Sequence, residues 1–228
     1  MVLGLPAGQT PIPLYAELVQ LSRKGRLDVS GVTTFNLDEF VGVSPAHPGS
    51  YRSFMQRQLF DHVPIPARRR HILNGAARDI GAECARYERA IVRAGGIDLQ
   101  LLGLGMNGHI GFNEPAGVLR ARTHLTRLTP SSRTANRVLF GNDIRQVPRE
   151  ALSMGMATIL QAKRIVVMAT GKAKAACIER MIAGPVTTEV PASLLQLHRN
   201  VEVWLDVEAA SRLPRSRVHR RTRRTRRN

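Results

Sequence analysis

The sequence predicts an α/β fold, a single doubly wound three-layer domain built on a mainly parallel sheet. Three observations carry that reading. Short apolar runs rich in Val, Ile and Leu recur along the chain, each closed by glycine or polar residues, as expected of buried strands. Stretches with apolar residues at helical spacing lie between them, so strands and helices alternate. Polar, glycine-rich segments follow several of the runs, and open α/β sheets bind ligands in the crevice at the carboxyl ends of their strands.

Met1-Val-Leu-Gly-Leu5 is the first run, followed by Pro6-Ala-Gly-Gln-Thr-Pro11. Thr10 reads as a helix N-cap and Pro11 as the first helical residue, with Leu14, Leu18 and Leu21 recurring up to Gly25. A strand, a glycine loop and a helix start offer backbone N–H groups to an anion, so Gly8, Gln9 and Thr10 are a candidate phosphate cradle. An ordinary strand-to-helix turn would look the same. The loop lacks the lysine of a P-loop, which argues against a nucleoside triphosphate.

Val32-Thr-Thr-Phe-Asn-Leu37 is the second strand, with Asp38 and Glu39 at its carboxyl end. A carboxylate placed there faces the crevice and is a candidate general base. Prolines and a glycine make residues 43–50 a loop in which His47 is structural, and Tyr51 to Phe60 reads as a helix. Asp79 to Ala94 is the clearest helix: Ile80, Cys84, Tyr87 and Ile91 share a face and Gly95-Gly96 end it.

Ile97 to Leu104 is the central buried strand. The segment after it, Gly103 to Pro115, holds four glycines, two asparagines, a histidine and a glutamate in thirteen residues. No core needs such a set. Thr129 to Phe140 is polar, with Arg133 and Arg137 available for anions, and Ala151 to Leu160 is apolar without chemistry of its own. Arg164 to Thr170 is a further strand, followed by Gly171-Lys-Ala-Lys174. Lysines in a first helical turn oppose the helix dipole, so an anion between them and the helix start would explain them, as would plain solvation. Val201 to Leu205 is the last strand, ending at Asp206.

Length and composition bound the function. The 228 residues suffice for one domain with a sizeable core. No apolar stretch approaches the roughly 20 residues of a membrane span, and no signal segment precedes the first strand. Two cysteines, Cys84 and Cys177, are too few for a disulfide framework and fit a reducing cytoplasm. The formal charge of +17 divides unevenly. Residues 211–228 hold nine arginines and no acid, so the body carries +8, a balance that suits an anionic substrate. That arginine-rich tail is expected to be disordered; a nonspecific nucleic-acid contact through phosphates is its functional reading and an appendage without a partner the preferred one.

The central loop fits Gly-x-Gly-x-x-Gly at 103, 105 and 108, but no acid stands near residues 125–130, where a dinucleotide fold would need one. His109 and Glu114 have neither the spacing nor the company of a metal site. A histidine, a glutamate and an asparagine on one loop, with an aspartate at a neighbouring strand end, suit proton transfer on a small polyol without a cofactor.

Asn36-Leu-Asp-Glu39, Gly105-Met-Asn-Gly-His-Ile-Gly-Phe-Asn-Glu-Pro115 and Val190-Pro-Ala-Ser-Leu-Leu-Gln-Leu-His198 resemble the glucosamine-6-phosphate deaminase family, and the resemblance runs from the first residues to about Ala210. It implies conversion of glucosamine 6-phosphate and water to fructose 6-phosphate and ammonia, with no cofactor and no metal, because the substrate supplies the leaving amine. Asp38 would take the C2 proton and return it at C1. His109 would move the proton in ring opening, Glu114 would assist and orient it, and Asn107 stands where members carry Asp or Asn. The phosphate would lie on Ala7, Gly8, Gln9 and Thr10, with Lys174 as the phosphate lysine. Val138 occupies the position of the family's phosphate arginine, and Arg137, one residue earlier and so rotated by about 100° on a helix, is the nearest substitute.

The family carries a strand and helix before the phosphate loop, so the resemblance implies a shortened start, with residues 1–210 as the isomerase/deaminase domain. Gly117, His124 and Thr126 stand at the positions of the basic residues through which some members respond to N-acetylglucosamine 6-phosphate, so no such activation is expected. Sugar-phosphate lactonases of the same fold class share a similar glycine–histidine loop but usually lack its Asn-Glu-Pro ending. A 6-phosphogluconolactonase-like hydrolase is one alternative reading; an inactive relative with a nucleic-acid-binding tail is the other. The family includes different assemblies, so a homo-oligomer stays open.

Overall fold

The computed structural model describes residues 1–214. Of the arginine-rich tail, residues 215–228 lie outside the described residues, and so does the expectation of their disorder. Residues 211–214 are described: Leu213 packs against the core, and Arg212 pairs with Glu179 at 3.7 Å.

In chain order the elements are β1 (Val2–Leu5), α1 (Ile12–Arg23), β2 (Thr33–Asn36), β3 (Asp38–Phe40), α2 (Tyr51–Met55), β4 (Arg70–His71), α3 (Ile80–Arg93), β5 (Leu99–Gly103), β6 (His124–Arg127), α4 (Pro130–Asn136), β7 (Glu150–Ser153), α5 (Met156–Leu160), β8 (Arg164–Ala169), α6 (Ala175–Ala183) and β9 (Val201–Leu205). Six strands form one sheet in the order β4-β2-β1-β5-β8-β9. All of its pairings are parallel.

Both faces of the central strands β1, β5 and β8 are buried, which is why those strands read as nearly continuous apolar runs. Side chains alternate across it. Phe35, Leu102 and Val167 join α3, α5 and α6 on one face, through Tyr87, Ile159 and Ile178. Leu5, Leu101 and Val166 join α1 and α2 on the other, through Tyr15 and Phe54. Helix α3 begins where the sequence places it, its Asp79 N-cap accepting the Ala82 N–H at 2.8 Å. Strand order reverses between β1 and β5, so the loops that follow those two strands diverge and open a crevice.

Four details differ from the sequence reading. Thr10 does not cap α1, which starts at Ile12 with Pro11 in the cap position and no side-chain cap. Pro11 and Pro13 lack N–H groups and the Ile12 N–H is taken by Gln9 O at 3.3 Å, so little remains for Thr10 to bind. Asp38 and Glu39 follow the carboxyl end of β2 as expected, but they open a strand of a second, unforeseen sheet, three-stranded and antiparallel in the order β3-β7-β6. The Tyr51–Phe60 helix is α only to Met55 and closes in a wider π turn, Gln56–Phe60. Lys174 ends a 3₁₀ turn, Lys172–Lys174, that precedes α6.

Candidate functional site

The carboxyl ends of β2, β1, β5 and β8 stand side by side on one sheet edge. The chain leaving each end carries a set of the residues singled out above: Asp38 after β2, Ala7 to Thr10 after β1, Asn107 to Glu114 after β5 and Lys174 after β8. The sheet thus brings four distant segments together by register alone.

The loop after β5 folds back on itself. Gly105 N–H donates to His109 O at 2.9 Å and Asn107 Oδ1 accepts the His109 N–H at 3.2 Å. The imidazole lies over Gly105, where a Cβ would stand 2.3 Å from the ring, so only glycine admits the ring there. The small sheet holds the rest of the loop: Phe112 N–H donates to Ser153 Oγ at 3.0 Å, and Asn113 Nδ2 donates to Met154 O at 2.8 Å. Phe112 also packs in an aromatic cluster with Phe40 and Tyr51.

Asn107, His109 and Glu114 meet. Glu114 Oε2 is 3.3 Å from His109 Nδ1 and accepts from Asn107 Nδ2 at 2.9 Å. Glu114 Oε1 accepts from the Ser132 hydroxyl and, at 3.2 Å, from Thr129 Oγ1, both at the start of α4. Burial works to raise the Glu114 carboxyl, but the hydrogen bond and charge of His109, with the hydrogen bonds of Ser132 and Asn107, outweigh it and bring the group down to about 2. Glu114 is therefore an anion that accepts hydrogen bonds on both oxygens.

Asp38 sits in the opposite state. It is buried, 6% exposed, and its Oδ1 has no hydrogen-bond partner. Burial first, and then the charge of Glu39, raise its carboxyl from 3.8 to about 8. Its charge in turn bears on the buried phenols of Tyr15, Tyr51 and Tyr87. Glu39 is tied down by Phe40 N–H, Tyr51 N–H and Arg52 N–H at 2.8–2.9 Å, which fixes β3 against the start of α2. One carboxylate is bound on every side; its neighbour keeps a bare oxygen. Burial raises the Glu39 carboxyl as well, against those three hydrogen bonds; the pair driven apart is Asp38, raised, and Glu114, lowered, a divergence that marks acid–base chemistry.

Lys174 is half-buried, which lowers its ammonium, and donates to Leu104 O at 2.6 Å, so the cation sits against the base of the central loop. Arg133 is not available for an anion: its guanidinium is engaged by Val147 O and Ile144 O. Arg137 is exposed and pairs with no acid among the described residues, and Val138 is exposed beside it. His47 is structural, accepting the Gly49 N–H and stacking on Phe140. A groove of about 990 Å³ runs between α3 and β6 past Cys84, Val92 and Leu125, away from the polar cluster. Among the described residues no three His, Cys, Asp or Glu side chains group to hold a metal, and no helix is long and apolar enough to cross a membrane.

Ser132 and Thr129 escaped the sequence reading, which took the segment as an anion-binding stretch. The signal was present: Thr129-Pro130 is a helix start, and the side chain three residues after the cap turns back toward it.

Residues 1–204 match the family of glucosamine-6-phosphate isomerases/6-phosphogluconolactonase. A glucosamine-6-phosphate deaminase of Halothermothrix orenii is 51% identical over 212 residues, covering 93% of this chain and 88% of that protein. Glucosamine-6-phosphate deaminase 2 of Bacillus subtilis is 49% identical over 213 residues, 93% of this chain and 86% of that protein. Among solved structures, a monomeric glucosamine-6-phosphate deaminase superposes with a TM-score of 0.89 at 43% identity, covering 92% of this chain and 87% of that one. The 6-phosphogluconolactonase of Trypanosoma cruzi, at 20% identity and a TM-score of 0.72, shares the fold.

Proposed function

From the premise that this chain belongs to the glucosamine-6-phosphate isomerase/6-phosphogluconolactonase family, we propose that it is a glucosamine-6-phosphate deaminase, converting glucosamine 6-phosphate and water to fructose 6-phosphate and ammonia. The observation that carries the reading is the pairing of a bare, buried Asp38 with an ionised Glu114–His109 cluster on one sheet edge.

The reaction needs two kinds of proton transfer. The pyranose ring must open, and His109 serves there, held by Glu114 and Asn107 with its ring at the loop surface. One base must then move a proton from C2 to C1, which asks for a carboxylate free of other hydrogen bonds; Asp38 has that oxygen. The substrate's C2 ammonium brings a positive charge to Asp38 and favours its ionised form on binding, since an opposite charge at close range lowers a carboxyl. The phosphate is assigned to Ala7, Gly8, Gln9 and Thr10 with Lys174, across the crevice where strand order reverses. Arg137 is the nearest substitute for the arginine that Val138 replaces.

Every residue in this reading comes from one chain, and residues 1–210 form its single catalytic domain. A cytoplasmic setting belongs to the same proposal, supported by the free buried thiols of Cys84 and Cys177. The test is release of ammonia and fructose 6-phosphate from glucosamine 6-phosphate, expected in equal amounts and lost in Asp38→Asn. Hydrolysis of a sugar-phosphate lactone that survives in that variant, with no ammonia from the wild type, would replace this reading with a lactonase.

A further inference from the structure

Ser132 lies in the first turn of α4, 1% exposed, with its Oγ against Glu114 Oε1 and 3.3 Å from His109 Nδ1. Its partners fix the direction of each bond. An ionised carboxylate only accepts, and a hydroxyl has a single proton to give. The Ser132 proton goes to Glu114, so toward His109 the serine presents lone pairs alone. Glu114 Oε2, 3.3 Å from the same Nδ1, is likewise an acceptor. Two acceptors converge on one ring nitrogen, and Nδ1 must carry the hydrogen. Thr129 Oγ1 takes the Ser132 N–H at 3.2 Å and has two acceptors for its own proton, Glu114 Oε1 and Ser132 Oγ, each at 3.2 Å; either choice leaves the Ser132 proton on Glu114.

We propose that Ser132 is a positioning residue for His109: its hydroxyl, oriented by Glu114, holds a proton on Nδ1, so that Nε2 is the ring nitrogen left to exchange a proton with the sugar in ring opening. The inference rests on the deaminase reading for its consequence in turnover, and on the geometry alone for the tautomer. Glu114 by itself would leave the ring on one long bond; Ser132 supplies the second contact that sets ring and tautomer together.

The experiment follows the ¹⁵N signals of His109 in the free protein labelled at its seven histidines, with His109→Gln used to assign them, beside steady-state turnover. The wild type is expected to show the Nδ1–H tautomer. Ser132→Ala is expected to show mixed tautomers and a kcat roughly tenfold or more lower, the range of a lost acid–base contribution, with KM within about twofold because uniform substrate binding is untouched. Ser132→Thr restores both readouts, and Thr129→Val leaves the tautomer as in the wild type. Ser132→Cys, close in volume but a weak donor, reads the same loss if the alanine variant does not melt cooperatively. An unchanged tautomer or an unchanged kcat in Ser132→Ala overturns the proposal. A wild type that shows the Nδ1–H tautomer but releases no ammonia overturns the deaminase reading instead, and leaves the tautomer result to decide the role of Ser132.

Discussion

Replacing Asp38 by Asn separates what its carboxyl does for the reaction from what it does to the fold. The side chain is buried beside Glu39 and among Tyr15, Tyr51 and Tyr87, and its carboxyl rises from 3.8 to about 8 on folding. A group raised in the folded state stabilises most when both states are protonated and loses that stability as pH climbs through the folded value. At ~1.4 kcal/mol per pH unit, the full rise amounts to on the order of 5 kcal/mol, of which about 2 kcal/mol falls between pH 6 and pH 8. Asn carries no proton to lose. Thermal unfolding of both proteins from pH 6 to pH 9 should therefore show the variant gaining on the wild type by roughly 5 °C between pH 6 and 8, at ~2–4 °C per kcal/mol for a domain of this size, and levelling off above about pH 9. Turnover should fall to background in the same variant, while the wild-type kcat/KM should rise toward about pH 8 as the free enzyme's base ionises. A melting difference that stays constant with pH would refute the reasoning, because it would mean Asp38 is ionised throughout.

Lys174→Met removes the cation assigned to the phosphate, and initial rates against substrate concentration should show KM up by roughly tenfold or more with kcat within a few-fold, the pattern of lost uniform binding. Val138→Arg places a guanidinium at the exposed site next to Arg137, and the same measurement should show KM falling severalfold. Gly4→Ala puts a Cβ 2.1 Å from Gln100 Oε1 in the middle of the sheet, so denaturant unfolding should show a loss of about 1–3 kcal/mol from overpacking. The double variant Gly4→Ala/Gln100→Ala should recover part of it, a coupling that contacting residues display and independent ones do not.

Strands β1, β5 and β8 were legible because each is an apolar run closed by proline or glycine, and a strand buried on both faces has nothing else to be; β9, a half-exposed edge strand, was legible from its valines and tryptophan. The small antiparallel sheet was not. Asp38–Phe40 is three residues long, and β6 presents His124, Leu125, Thr126 and Arg127 half-exposed or exposed, so neither segment carries a period against which to read it. The site divides the same way. Asn107, His109 and Glu114 stand on one loop and were visible as a set; Asp38 was visible as an acid at a strand end. That Asp38 has a bare oxygen and Glu39 has none depends on the start of α2 and on β7, which sequence spacing does not reveal. Ser132 was passed over because a serine in a polar stretch looks solvated until a fold closes around it.

Strand β1 has a further consequence, one of timing. It is flanked by β2 and β5, and its Val2 N–H donates at 2.7 Å to the carboxylate of Asp98, 96 residues along the chain. At a synthesis rate of about 5–20 residues per second, β5 leaves the ribosome roughly 5–20 seconds after β1. Through that interval β1 can have β2 on one side and lacks β5 on the other. The loop that follows β1 must wait for β5 before its strand is flanked on both sides, and that pause is when a chaperone or a stray strand edge would find it.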